Sequence, residues 1–293
     1  MAFRFKPRAE DLGAELRRVA TEQVRKARRD ASEGAPDPHE AVHDVRKRCK
    51  KLRGLIRLVR PGFSGYAREN AAIRDFARSL SGLRDLEALV ETHDALMAEA
   101  GEERRRFAPV RAQLTRAKSS VEVLIGETHR AQLEALEMRI AGWRVDGDPA
   151  EVLEKGIART WTRAARAYAK AVAAPTVAVM HEWRKRTKYH WHHCRLLEGG
   201  WPAQMAPRAA EVKRLSDLLG DHHDLALYLD YLASERAPRL DADAQRALSS
   251  LADRRIAELE RDAFTLGARL FAETPGAAAK RIVAWWEIAR REG

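Results

Sequence analysis

The stretch HDVRKRCKKLRGLIRLVRP, residues 43–61, holds eight lysines and arginines in nineteen positions. Helix-forming residues dominate it, and its apolar residues recur at helical spacing, which predicts an amphipathic α-helix. The apolar side of that helix, which we expect to face a core, consists of Val45, Cys49, Leu52, Ile56 and Val59.

The basic residues of this helix project together on its other side. At about 100° per residue, six of them fall within about 120° of arc. We name this set the first basic stripe: His43, Arg46, Lys47, Lys50, Arg53 and Arg57. No acidic residue occurs from Arg46 to Arg60. Like charges four residues apart destabilise a helix, so we expect acidic neighbours in the fold or an anionic ligand to balance the stripe.

The stretch HEWRKRTKYHWHHCRLL, residues 181–197, repeats this pattern at a constant offset of 138 positions. Its apolar backing is Trp183, Thr187, Cys194 and Leu197. Residues 185–197 again lack any acidic side chain. The equivalent set forms the second basic stripe: His181, Arg184, Lys185, Lys188, His192 and Arg195.

A second pair of segments repeats at an offset of 139 positions. IRDFARSLSGLRDLEALV, residues 73–90, matches VKRLSDLLGDHHDLALYL, residues 212–229. Arg74 meets Lys213 in this alignment, and Asp85 meets Asp224. An offset close to half of the 293 residues indicates two tandem copies of one helical unit. We place the copies at residues 1–146 and 147–293, with the break at Gly147, Asp148 and Pro149.

Composition and punctuation predict an all-α protein. Ala, Leu, Arg and Glu are abundant, and turn signals divide the chain into about four helices per copy. Short connections favour two antiparallel four-helix bundles related by a pseudo-two-fold axis. The predicted helices span residues 8–30, 38–60, 66–98, 103–142, 149–173, 176–198, 205–234, 241–271 and 276–291.

The charge balance points to a polyanionic partner. Lys and Arg number 54 against 43 Asp and Glu, giving a net charge of +11. The chain has no glycine-rich phosphate loop, and aromatic residues near the stripes are sparse, with Tyr189 and Trp191 in one copy only. Two rows of cations without base-reading chemistry favour a linear phosphate polymer. His43 and His181 begin the stripes, and their protonation would strengthen phosphate binding as pH falls through about 6.5.

Other features predict a cytoplasmic protein without a disulfide framework, cofactor or metal. Cys49 and Cys194 are the only cysteines, and we expect both in the core. The N-terminus lacks an apolar signal region, and the longest weakly polar run is too short to span a membrane.

With these features the sequence resembles the CHAD family, histidine-marked α-helical domains that bind inorganic polyphosphate. Both basic stretches resemble its H-x-x-R-x-x-x-K signature, and LRDLEAL and HHDLALYL resemble its Asp-Leu segments. The resemblance covers essentially the whole chain. It implies two four-helix bundles around a basic central channel that holds the polymer, and association with intracellular polyphosphate granules. We expect a binding protein without catalytic residues.

The resemblance assigns polyphosphate binding residue by residue. In the first copy it implies His43, Arg46, Lys50 and Arg53; in the second, His181, Arg184 and Lys188. The helical stripes add Lys47, Arg57, Lys185 and Arg195, and the repeat adds Arg74 and Lys213 as contacts on a second wall. Trp191 occupies the position of Arg53 in the second copy, which predicts a less basic channel end there.

Two alternatives of other classes stay open. A metal-dependent phosphohydrolase could use His193, His223, Asp224 and Asp253, although the first copy has Arg84 and Asp85 at the His-Asp position. A zinc site at His190, His193 and Cys194 has unsuitable spacing. The other alternative is a general nucleic-acid-binding protein, although a duplex needs an exposed basic surface that fits a groove.

Overall fold

Eleven α-helices and three short 3-10 helices make up the computed structural model, which describes residues 3–9, 11–32, 37–80, 84–120 and 125–292. No strand occurs in these ranges, so the all-α prediction is confirmed. The helices are α1 Leu12–Asp30, α2 Pro38–Leu58, α3 Tyr66–Ser79, α4 Arg84–Glu99, α5 Ala108–Ser119, α6 Glu127–Ala141, α7 Pro149–Ala173, α8 Val177–Leu196, α9 Pro202–Leu232, α10 Ala242–Leu270 and α11 Pro275–Arg291.

Two predicted helices are each divided in the structure. The prediction of one helix over 66–98 is wrong, because α3 ends at Ser79 and α4 begins at Arg84. The sequence between them contains Ser81 and Gly82, which have low helix propensity. Likewise 103–142 comprises the 3-10 helix Gly101–Phe107, α5 and α6. Gly126 has extended dihedral angles directly before α6, so the chain changes direction there.

The core consists of two clusters of buried residues. The larger one draws on both halves of the sequence, including Leu16 of α1, Leu55 of α2, Trp161 of α7 and Trp286 of α11. The smaller one joins α4 and α5 to the C-terminal part of α9 and to α10, around Tyr228 and Leu248. The long helix α9 contributes to both clusters, so the two halves are packed together through shared apolar surface.

The helices α2 and α8 occupy equivalent places in the chain. Each one ends 138 residues from the other, at Leu58 and Leu196, and each is followed by a 3-10 turn. Asp37 accepts hydrogen bonds from the backbone N–H groups of the first turn of α2, and Thr176 does so for α8. Such caps satisfy amide groups that have no partner within the helix. The sequence therefore encodes the start and end of both basic helices locally.

Candidate anion-binding site

The apolar side of each basic helix is buried as predicted. Every backing residue named for α2 and α8 is less than 3% exposed. Cys49 and Cys194 are among them as free thiols, and burial raises the pKa of Cys49 to about 12 and that of Cys194 to about 11. The expected core thiols are confirmed, and their anchoring fixes which way both basic stripes point.

The two basic helices cross in the middle of the fold at Gly54. A side-chain carbon at Gly54 would lie 2.8 Å from the ring of His192, so α2 and α8 approach closely there. The ring Nε2 of His193 lies 3.1 Å from the carbonyl oxygen of Gly54. The guanidinium of Arg57 lies 4.0 Å from the ring centre of Tyr189 on α8. The crossing therefore brings two strongly basic helices into direct contact.

The first basic stripe faces α3. Arg46 donates a hydrogen bond of 2.7 Å to the carbonyl oxygen of Ala77, and Arg53 donates one of 3.2 Å to Asn70. Arg74 lies between these two acceptors on α3, four residues after one and three before the other, and thus on the same helical face. Arg74 therefore lies on the face of α3 that contacts the first stripe.

The second basic stripe faces α9 in a similar manner. The ring of His181 lies 4.2 Å from that of His223, and Arg184 packs against Gly220. Lys213 precedes Gly220 by two helical turns, on the same face of α9. The ammonium group of Lys188 lies 4.3 Å from the ring centre of Trp191. Trp191 stands at the position equivalent to Arg53, so a cation lies beside this position even though the residue itself is aromatic.

Carboxylates of the fold balance part of the stripes. Several stripe cations and both second-wall cations have acidic partners within 3.5 Å: Lys47 with Asp44, Lys185 with Glu182, Arg195 with Glu198, Arg74 with Asp75, and Lys213 with Asp217. In the C-terminal half of α2 the hydrogen-bond and ring partners are neutral, namely Asn70 for Arg53, and a backbone carbonyl with the ring of Tyr189 for Arg57. The carboxylates of the fold therefore balance the first stripe only in part.

His181 departs from the expected titration near pH 6.5. Burial, with His223, Lys185 and Arg184 close by, lowers its pKa to about 4. The imidazole is therefore neutral at pH 6.5 in the protein without a ligand. A bound anion would raise this pKa, so any gain in affinity on acidification sets in below pH 6.5.

His192 does not project with the second basic stripe, and the prediction that it does is wrong. It is 2% exposed and lies among Gly54, Phe3 and Trp191, with its ring centre 5.6 Å from that of Phe3. The absence of a side chain at Gly54 leaves a space that this ring fills. Burial lowers the pKa of His192 well below its usual value.

The candidate metal ligands named in the sequence do not form a common cluster within the part of the chain that the structure describes. His190 lies 3.8 Å from Cys194, but no group of three or more potential ligands occurs among the described residues. His193 contacts Gly54, whereas His223 contacts His181, which is twelve residues or about 18 Å away along α8. The structure therefore separates His193 from His223, two residues that the phosphohydrolase alternative needs together.

Further basic residues lie next to the stripes but were missed in the sequence. Arg159 and Arg163 of α7, with Arg60 and Arg186, line a pocket beside Arg57. A signal for them exists, because residues 155–181 also lack any acidic side chain. The equivalent residues of the first copy, 17–43, are also basic but contain acidic residues, so the acid-free run is not part of the repeated pattern.

The described fold and site define an all-α protein in which two basic helices cross, one against α3 and the other against α9. The chain belongs to the CHAD domain family, whose model matches residues 14–233. No curated protein matches the chain. None of the described helices is long and apolar enough to cross a membrane.

Proposed function

We propose that the protein binds long-chain inorganic polyphosphate along the two basic stripes, without cleaving it. The observation that carries the proposal is the crossing of α2 and α8 at Gly54 and His192. It joins two helices whose central turns are rich in lysine and arginine and free of acidic residues. Arginine offers a planar fork to phosphate oxygens and lysine a point charge, and the stripes contain both. Membership of the CHAD family is consistent with this ligand.

The same crossing supports a pseudo-two-fold relation between residues 1–146 and 147–293. Positions 54 and 192 are equivalent at the offset of 138, and they are in contact. Arg57 contacts Tyr189 on one side. On the other side, burial lowers the pKa of Lys51 to about 8, and Arg195 is among the nearby cations that lower it further. Positions 51 and 189 are equivalent, as are 57 and 195. A two-fold axis through the crossing would exchange these two pairs of residues.

The proposal includes a basic channel between the stripes and their walls. The walls on α3 and α9 carry Arg74 and Lys213, and the stripes on α2 and α8 face them. A flexible phosphate chain can enter a narrow groove between helices, whereas a rigid duplex needs a surface that fits its own grooves. As part of this proposal we expect a cytoplasmic protein located at polyphosphate granules.

The test is calorimetric titration with long-chain polyphosphate at two salt concentrations. We expect tight binding that weakens with salt as counterions are released. In the Arg46→Ala/Arg184→Ala variant the affinity should fall about 100-fold or more, since each charge-assisted hydrogen bond contributes about 1.5–3 kcal/mol. The matched control is Arg105→Ala/Arg269→Ala, which removes two exposed arginines away from the stripes.

Other outcomes decide between the alternatives. Unchanged affinity in the double variant, with native helical content, contradicts the proposal. Displacement of polyphosphate by equimolar duplex DNA would favour nucleic-acid binding. Shortening of the polymer that stops on chelation would favour the phosphohydrolase. A fluorescent fusion should collect at granules, and the double variant should not.

A further inference from the structure

A second concentration of arginines lies beside the helix crossing, where α2, α7 and α8 meet. It surrounds a small pocket that opens to solvent. Five guanidinium groups line this pocket, which we name the arginine pocket: Arg57, Arg60, Arg159, Arg163 and Arg186. Arg57 also belongs to the first basic stripe, whereas the other four lie outside both stripes.

Two of these arginines are held in place by tyrosine rings. The guanidinium of Arg57 lies 4.0 Å from the ring centre of Tyr189, and that of Arg60 lies 4.4 Å from the ring centre of Tyr66. Arg57 donates from Nη1 to the carbonyl oxygen of Arg53, but its buried Nε has no hydrogen-bond partner among the described residues. A buried donor without a partner is costly, and an anion in the pocket would supply the acceptor.

The positive charge of the arginine pocket is largely uncompensated. Arg186 pairs with Glu182 at 2.5 Å, whereas Arg159 and Arg163 form no ion pair with a carboxylate in the described ranges. Partial burial is the main cause that lowers the pKa of Arg163, and the nearby Arg186, Arg159 and Arg60 lower it further. Burial is also the main cause that lowers the pKa of Arg57, and Arg53 and Arg186 add to this decrease. Burial and neighbouring cations thus destabilise the charges of Arg57 and Arg163, which an anion in the pocket would offset.

The equivalent place in the other half of the chain is closed. Glu198 stands where Arg60 stands at the offset of 138, and it pairs with Arg195 at 3.2 Å. Arg48, the equivalent of Arg186, pairs with Asp30 at 3.2 Å. The N-terminal segment covers this end of the crossing, where Phe3 lies under Lys51 and Phe5 donates a backbone hydrogen bond to Leu196. Only one of the two equivalent places therefore keeps an open cluster of arginines.

We propose that the arginine pocket is a separate anion site for a short phosphate group of two or three linked phosphates. Guanidinium groups on three helices surround a small volume, which suits a compact ligand with several negative charges better than a long chain. Arg57 and Arg60 already cover one face of the Tyr189 and Tyr66 rings, which leaves less ring surface for a nucleoside base. Inorganic di- or triphosphate is the chemistry that fits. The inference does not depend on the stripes binding a long polymer.

The test compares two ligands and three pairs of substitutions by calorimetry. The ligands are inorganic tripolyphosphate and long-chain polyphosphate. Arg159→Ala/Arg163→Ala removes two exposed pocket arginines, and Arg46→Ala/Arg184→Ala alters the stripes. Arg166→Ala/Lys170→Ala removes two exposed cations of the same helix, α7, outside the pocket. We expect the pocket variant to lose tripolyphosphate affinity at least tenfold and to keep long-chain affinity within a factor of about three.

The outcomes separate this inference from the proposed function. Undiminished tripolyphosphate affinity in the pocket variant, or an equal loss in the α7 control, overturns the arginine pocket as a site. An equal loss of both ligands in the pocket variant overturns its independence from the stripes. Failure of the stripe variant to lose long-chain binding contradicts the proposed function alone. A parallel titration with ATP should show affinity no higher than for tripolyphosphate, and tighter binding of ATP would overturn the assignment to inorganic phosphate.

Discussion

Gly156 sets how closely α7 can approach α2. A side-chain carbon built at this position would lie 1.8 Å from the carbonyl oxygen of Leu58, so even one methyl group forces the two helices apart. Backbone atoms cannot move aside as a flexible side chain can. The close approach depends on the missing side chain and not on an unusual backbone conformation.

We therefore predict that Gly156→Ala destabilises the protein by about 3 kcal/mol, near the upper end of overpacking substitutions. The measurement is the free energy of unfolding in urea. Gly276→Ala is the matched control, because this glycine lies in α11 with nothing within 4 Å of the added carbon. It should be neutral or slightly stabilising, since alanine favours a helix. Equal stability of the two variants would refute the close contact.

Single residues also show what the sequence could and could not predict. Periodicity assigned the buried side of α2 correctly from Val45 to Val59, because apolar spacing alone determines it. It placed His192 with the cations, because helical periodicity gives the direction in which a side chain projects but not the residue that it meets there. The burial of His192 depends on Gly54, a residue 138 positions away. Long-range complementarity of this kind leaves no trace in the local pattern.

At the scale of the element, α8 differs from α2 by the histidines in its last two turns. His190, His192 and His193 are each at most 2% exposed. Burial lowers the pKa of all three, that of His193 to about 3. Each remains neutral in the folded protein at pH values where it gains a proton in the unfolded chain. Between about pH 6.5 and 3 the unfolded state thus binds more protons, so stability rises with pH and falls on acidification.

We predict that the free energy of unfolding decreases as pH falls below 6.5, by up to about 1.4 kcal/mol per pH unit for each buried histidine. Urea unfolding at pH 7.5, 6.0 and 5.0 measures this. His192→Phe keeps an aromatic ring and removes one titrating group, so its acid sensitivity should be smaller. A stability that is flat from pH 7.5 to 5.0 would contradict the buried neutral histidines.

The elements themselves were predicted best where capping residues mark them. The start of α7 at Pro149 follows from Asp148, whose side chain accepts a hydrogen bond from the backbone N–H of Glu151. The end of α2 lies within two residues of its predicted place. The divisions after α3 and before α6 were missed because strong helix formers on both sides outweighed Gly82 and Gly126 in the pattern. Isolated glycines are tolerated in helices often enough that their presence alone does not predict a break.

For the whole molecule, the family match and the folded unit have different limits. The match ends at residue 233, whereas the buried core continues through α10 and α11. Leu248 and Leu259 belong to the smaller cluster, and Ile282 and Trp286 to the larger. Each buried side chain of this size stabilises a fold by about 1.5–3 kcal/mol, against a net stability of about 5–15 kcal/mol. The last sixty residues are thus part of both cores.

We predict that a chain cut after Ala233 fails to fold into a stable protein, although it contains the matched region and both stripes. It should aggregate or lack a cooperative unfolding transition in circular dichroism. The comparison is a chain that ends at Arg291, which removes only the two residues after α11 and should behave as the full protein. A cooperative, native-like transition in the shorter chain would show that the core does not need α10 and α11.

The contact between Gly54 and His192 also bears on how such a chain could arise. Equivalent positions that touch across a two-fold axis are the geometry of a symmetric homodimer. In a dimer of identical halves, however, this place would hold either two histidines, which would collide, or two glycines, which would leave a void. A glycine on one helix opposite a histidine ring on the other requires two halves that differ in sequence. If an ancestral half once paired with itself, this pair could have been selected only after both halves were encoded in one gene and free to diverge.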